Sequence, residues 1–121
     1  MIRKKILVVD DDESMRELLA YALSTLSGVD VLVAKDGQAG LEMFRASHPC
    51  LVITDMNMPR MNGLELLQAI GAEVPVIVMT GFGVKAGEAE HRAMEKGAAA
   101  FFIKPFSAKE FMEEVKKILM G

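Results

Sequence analysis

The chain alternates short β-branched runs with helical patterns of about ten residues, and it does so along its whole length. That alternation restricts it to βαβ units and a parallel sheet, since parallel strands are joined only by crossovers long enough to hold a helix. The runs place strands near residues 5–10, 30–35, 51–55, 75–80 and 99–103. Their continuous apolar character suits strands buried on both faces. Helices are expected over 14–26, 37–46, 63–70, 86–96 and 107–120. Ser14-x-x-Glu17 and Ser107-x-x-Glu110 read as capping boxes, and Gly28 and Gly71 as stops. The first helix puts Met15, Leu18, Leu19, Ala22 and Leu26 on one face, and the last buries Phe111, Met112, Val115, Ile118 and Leu119. The second carries Ala39, Leu41 and Phe44, and the third Leu64, Leu66, Leu67 and Ile70. The fourth offers only Ala89, Ala93 and Met94 and follows the glycine-rich stretch Gly81–Gly87, so low local stability is expected there. Right-handed crossovers make this an α/β fold: a single-domain three-layer αβα sandwich around a five-stranded parallel sheet.

Composition narrows the function classes. The 121 residues hold one core and leave no room for a second domain. A net charge of −3 gives no basic face for nucleic acid and no electrostatic pull toward a membrane surface. No apolar run approaches the ~20 residues of a membrane span. Met1-Ile-Arg-Lys-Lys leads straight into a strand, with no signal-peptide pattern. The lone Cys50 excludes an internal disulfide and reads as a small buried hydrophobe, so a reducing, cytoplasmic setting is expected.

Four of the strand-like runs end in polar groups. Lys5–Val9 runs into Asp10-Asp11-Asp12, Leu51–Thr54 into Asp55, Val76–Met79 into Thr80, and Phe101–Ile103 into Lys104-Pro105. In an open parallel α/β sheet, ligands bind outside the carboxyl ends of the strands, so these groups should share one crevice. The second strand alone lacks such a group, which is what an edge position in the order 2-1-3-4-5 produces. Two unit charges about 4 Å apart repel by about 4 kcal/mol at an effective dielectric near 20. Asp10, Asp11 and Asp55 together therefore require a cation, a raised pKa, or both. Hard carboxylate oxygens at a hydrated site suit Mg²⁺, and Lys104 adds a second compact positive charge. Thr80 supplies a hydroxyl donor to a phosphoryl oxygen. A carboxylate can itself accept a phosphoryl group, with positioning and charge neutralisation as the main demands. Asp55, on the most central strand end, is the best acceptor, and Asp10 and Asp11 are better placed as metal ligands.

Val8-Val9-Asp10-Asp11, Asp55-Met56-Asn57-Met58-Pro59 with Gly63, Met79-Thr80-Gly81 and Lys104-Pro105-Phe106 together resemble the receiver domain of bacterial response regulators. The resemblance covers residues 1–121, with every signature in order, and implies a flavodoxin-like sheet. It implies that Asp55 takes a phosphoryl group from the phosphohistidine of a sensor histidine kinase or phosphotransfer protein. Asp10, Asp11, Asp55 and the backbone carbonyl of Asn57 would hold Mg²⁺. Lys104 would contact the phosphoryl group, and its bond to Pro105 would be cis. Thr80 and Phe101 would form the switch pair, while Asn57 and Phe82 would tune dephosphorylation. A surface of the fourth helix, fifth strand and fifth helix, presenting Arg92, Glu95, Lys109, Glu113 and Lys116, would meet an output domain, an effector protein or a second copy of the chain. Such a domain catalyses only its own phosphorylation and dephosphorylation and is not an enzyme toward other substrates. The chain's end after the fifth helix fits either a complete single-domain regulator or a receiver from a longer protein.

Other residues read more plainly. Asp12 and Glu13 suit a solvated helix start, where the dipole favours acids. His48 and His91 read as surface residues, and Gly63 and Gly97 as backbone devices. Met56, Met58 and Met61 read as packing around the site, since thioethers do not suit Mg²⁺. A phosphohydrolase of the haloacid-dehalogenase type also uses an aspartate nucleophile with Mg²⁺, but Asn57 stands where its second aspartate is needed. A phosphate-independent pseudo-receiver would have no use for the intact acids, Thr80 and Lys104.

Overall fold

Side chains of a strand point alternately to opposite faces, and in this chain that alternation sorts the helices. The computed structural model describes residues 3–81, Gly83 and residues 85–121. Its elements run β1 (Lys4–Val9), α1 (Glu13–Ser24), β2 (Val29–Ala34), α2 (Gly37–Ser47), β3 (Leu51–Asp55), α3 (Gly63–Ile70), β4 (Val76–Gly81), α4 (Ala86–Glu95), β5 (Ala100–Lys104) and α5 (Ala108–Met120). The strands form one sheet in the order β2-β1-β3-β4-β5. All its pairs are parallel, with Val8 opposite Ile53, Asp55 opposite Met79 and Thr80 opposite Ile103.

Leu7, Val9, Val52, Val76 and Val78 face one helical layer and pack with Leu41, Phe44, Leu66, Leu67, Ile70, Ala89 and Ala93 of α2, α3 and α4. Ile6, Val8, Leu51, Ile53, Ile77 and Met79 face the other and pack with Leu19, Leu23, Phe111 and Val115 of α1 and α5. β1, β3 and β4 are covered on both sides, so their apolar runs are continuous. On that second face Phe102, Phe106 and Phe111 form a ring cluster with centroids 5.3, 5.2 and 5.0 Å apart.

The expected elements are all present, with boundaries moved by a residue or two. The first helix starts one residue early: Asp12 is its N-cap and accepts from the Ser14 N–H at 3.0 Å, so the Ser14–Glu17 capping box does not form. Its buried face is Leu19 and Leu23, while Leu18 is 61% exposed, against expectation. Met94, expected to anchor α4, is 45% exposed, leaving only Ala89 and Ala93 buried. Met112, Ile118 and Leu119 are half-buried rather than buried. The Ser107 cap holds, its hydroxyl accepting from the Glu110 N–H at 3.2 Å. A complete capping box stands at the start of α3, where the sequence shows no Ser or Thr: Asn62 and Glu65 exchange side-chain and backbone hydrogen bonds, both 2.9 Å.

Candidate functional site

Asp10, Asp55, Thr80 and Lys104 lie at or beside the carboxyl ends of their strands. Asp10 follows β1 and is fully buried, and its backbone N–H extends the β1–β2 ladder to the Ala34 carbonyl at 3.1 Å. Asp55 ends β3 at 6% exposure, and Thr80 lies near the end of β4, also buried. Lys104 ends β5 and crosses to the acids, its Nζ standing 2.9 Å from Asp10 Oδ2 and 3.0 Å from Asp55 Oδ1. One ammonium thus bridges two buried carboxylates. The other Asp10 oxygen accepts from the Asp12 N–H at 2.9 Å, and Arg16 Nη1 donates to the Asp10 carbonyl at 2.8 Å. Arg16 carried no sequence signal beyond its place one turn into a helix.

Asp11 is exposed, yet carboxylate oxygens of Asp10, Asp11 and Asp55 lie within 4.8 Å of one another. Three acids against one ammonium leave an unbalanced negative charge. Burial pushes the Asp55 carboxyl above its usual value; the hydrogen bond and charge of Lys104 oppose this, and the charges of Asp10 and Asp11 add to it. Burial alone would weaken the charged form of Lys104, but its bonds to Asp10 and Asp55 outweigh that and raise its pKa. The lysine therefore stays charged across the neutral range. An acid that is both buried and raised, beside two further acids, is a site short of positive charge. A hard divalent cation held by oxygen ligands fits it.

Around this centre the β3–α3 loop is held close. Gly63 N–H donates to the Met56 carbonyl at 2.9 Å, and a Cβ on Gly63 would stand 2.4 Å from the Asp55 carbonyl oxygen, so no larger residue fits. Asn57 is exposed, and its Nδ2 donates to Thr80 Oγ1 at 3.3 Å, linking the β3 and β4 ends. Phe101 pairs with Val78, two residues before Thr80 meets Ile103, so Phe101 and Thr80 share one face of the sheet. Phe101 is half-buried against the α2–α4 core. The Lys104–Pro105 bond is cis. Phe82 lies outside the described residues. Of the other residues expected in the site, Asp10, Asp11, Asp55 and Lys104 form one cluster, Thr80 and Asn57 form its neighbour, and Phe101 lies farther along the same sheet face.

A family model described as the response regulator receiver domain matches residues 6–116. The chain is 38% identical over 119 residues to a probable transcriptional regulator, ycf27, of Cyanophora paradoxa, covering 97% of this chain and 48% of that protein. It is 35% identical over 121 residues to the alkaline phosphatase synthesis transcriptional regulatory protein PhoP of Bacillus subtilis, covering 98% of this chain and 49% of that one. The chain thus spans about half the length of the curated relatives it matches. Among solved structures, a response regulator receiver domain protein from Clostridium thermocellum aligns with a TM-score of 0.86 at 30% identity, covering 96% of this chain and 94% of that one. The sheet order, the acidic strand ends and these matches agree: the chain belongs to the response regulator receiver domain family, a phosphorylation-dependent signalling switch.

Proposed function

We propose that the chain works by accepting a phosphoryl group on Asp55 from a histidine-bound donor, a sensor kinase or phosphotransfer protein, and by passing the change to a partner or output domain. The observation that carries this is the Lys104 ammonium bridging Asp10 and Asp55 at 2.9 and 3.0 Å beside the Asp11 carboxylate. Asp10, Asp11 and Asp55, with the Asn57 carbonyl, would hold Mg²⁺, which neutralises charge on phosphoryl oxygens when bound. Asp55 presents the attacking oxygen. Lys104 is already on that carboxylate and can follow the incoming phosphoryl group, and Thr80 offers its hydroxyl from the next strand. Asn57 now bonds to Thr80, so a hydroxyl that turns to the phosphoryl group must exchange that bond.

Thr80 precedes α4 in the chain, and that helix starts after Lys85 with no side-chain cap and buries only two alanines. A weakly anchored helix is what a small pull can bias. Arg92, Glu95, Lys109, Glu113 and Lys116 are all exposed on α4 and α5, where an effector, an output domain or a second copy can dock. Asn57, exposed near the acceptor, is placed to orient an attacking water, so the chain also limits the life of its own phosphorylated state. No turnover of other substrates is proposed: the Asn57 side chain is an amide and supplies no general acid. Among the described residues no helix is long and apolar enough to cross a membrane, and a cytoplasmic site of action suits the proposed donors.

Beryllofluoride with Mg²⁺ tests the reading, since it mimics an acyl phosphate without a donor. Saturable binding is expected in the wild type, detected by amide resonances around Asp55, and none in Asp55→Ala. A wild type unchanged by both beryllofluoride and acetyl phosphate would falsify the phosphoacceptor assignment.

A further inference from the structure

The turn Asp36–Gly37 opens α2 and touches the β3–α3 loop at two points. Asp36 is 4% exposed, and its Oδ1 caps the helix by accepting from the Ala39 N–H at 2.8 Å. A cap needs only one neutral acceptor, which Ser, Thr or Asn supplies as well. A buried carboxylate costs more than any of these unless its charge is met. The other oxygen, Oδ2, takes the Arg60 guanidinium at 3.4 Å. Arg60 itself holds φ at 70°, a left-handed conformation uncommon for such a residue. The second contact is tighter: a Cβ on Gly37 would stand 2.1 Å from the Met61 carbonyl oxygen and 2.7 Å from Met61 Cβ. Gly63 pins the same loop against Asp55 and Met56. Asn57 lies between the two pins, in the segment that leaves the acidic cluster.

We propose that the Asp36–Gly37 turn is a positioning device for the β3–α3 loop: it sets where the Asn57 carbonyl stands beside Asp10, Asp11 and Asp55, and so sets the site's affinity for a divalent cation. This rests on the metal-holding reading given above. Asp36, Gly37 and Arg60 touch none of the reacting atoms; they act through the loop. The ion pair is long and the guanidinium 71% exposed, so its stabilising effect is small and losing it weakens Mg²⁺ binding by about threefold. A methyl at Gly37 meets backbone that cannot rotate away, so Gly37→Ala weakens binding by about tenfold.

The test is Mg²⁺ titration of the whole chain, followed by the amide resonances of Asp10 and Asp55 and the carbonyl resonance of Asn57, beside metal-free thermal unfolding. Arg60→Asn tolerates the left-handed backbone but drops the charge, and Asp36→Asn keeps the cap but drops the charge. Both should raise the Mg²⁺ Kd about threefold and shrink the Asn57 carbonyl shift, with metal-free melting nearly unchanged. Arg60→Lys should restore most of the affinity. Equal Kd values in the wild type, Arg60→Asn, Asp36→Asn and Gly37→Ala overturn the proposal. So does a loss of affinity in Arg60→Asn and Asp36→Asn that tracks an equal loss of metal-free stability, which marks a merely structural role. A wild type with no saturable Mg²⁺ shifts at Asp10 and Asp55 sinks the metal-holding reading itself, and this proposal with it.

Discussion

At the scale of single residues, the site is built from charges that the fold leaves incompletely balanced. Asp55 has a pKa above its ordinary value because it is buried, with Asp10 and Asp11 adding to the effect against Lys104. A raised acid binds more protons folded than unfolded, so its contribution to stability is full below the ordinary carboxylate pKa and is lost as pH rises through the folded one. At neutral pH the ionised group therefore opposes folding. Asp55→Asn is expected to raise the metal-free melting temperature at pH 7 and to flatten the fall in stability above about pH 4, and saturating Mg²⁺ should narrow the difference from wild type. An equal or lower metal-free melting temperature in the variant would contradict the charge imbalance. Lys104 is the opposite case, one ammonium serving two acids. Lys104→Met should cost about 2 kcal/mol in urea unfolding at pH 7, less than a fully buried pair because the Asp55 carboxyl, already raised, can take up a proton. Lower pH or added Mg²⁺ should return part of it.

At the scale of elements, the helices divide into anchored and loosely held. α3 starts directly after the site loop and is fixed by the Asn62–Glu65 capping box, with Leu66, Leu67 and Ile70 buried behind it. Asn62→Ala removes the side-chain oxygen that accepts from the Glu65 N–H, leaves the backbone N–H to Glu65 Oε1 in place, and should cost about 1 kcal/mol, seen as a lower urea midpoint with an unchanged slope. α4 has no comparable hold: no side-chain cap and two alanines for a core face. The weakness of α4 was legible in its sequence, because few large apolar residues can be read directly. The Asn62 cap does not stand out in the sequence, because asparagine is as common in an uncapped loop as at a cap. The Ser14 box failed for a local reason: Asp12, one residue ahead of the helix, was free to cap it first.

At the scale of the molecule, parallel pairing brings residues up to 94 positions apart into one cluster, as Asp10 and Lys104 show. The Thr80 hydroxyl sits between that cluster and α4, and now accepts from Asn57 at 3.3 Å. Thr80→Ala should therefore still bind beryllofluoride with Mg²⁺, because Asp10, Asp11, Asp55 and Lys104 are intact. The amide shifts that the ligand produces across α4 and β5 in the wild type should be reduced severalfold. Full-sized shifts there would show that the signal travels by another route.

The amino-acid order carries the element types, the parallel sheet and the polar strand ends, because periodicity and strand termini are local properties. It also carried the acceptor, the acidic pair and the lysine as candidates, since each stands at the end of an apolar run. Which of these touch is set by the three-dimensional fold. It put Lys104 between Asp10 and Asp55, left Asp11 exposed at the rim, and tied Asn57 to Thr80. It alone showed Gly37 pressed against Met61 and Gly63 folded back on Asp55 and Met56, because close backbone approach depends on how the chain returns on itself. The alternating pattern thus specifies where chemistry gathers, and pairing across the sheet sets the distances at which it acts.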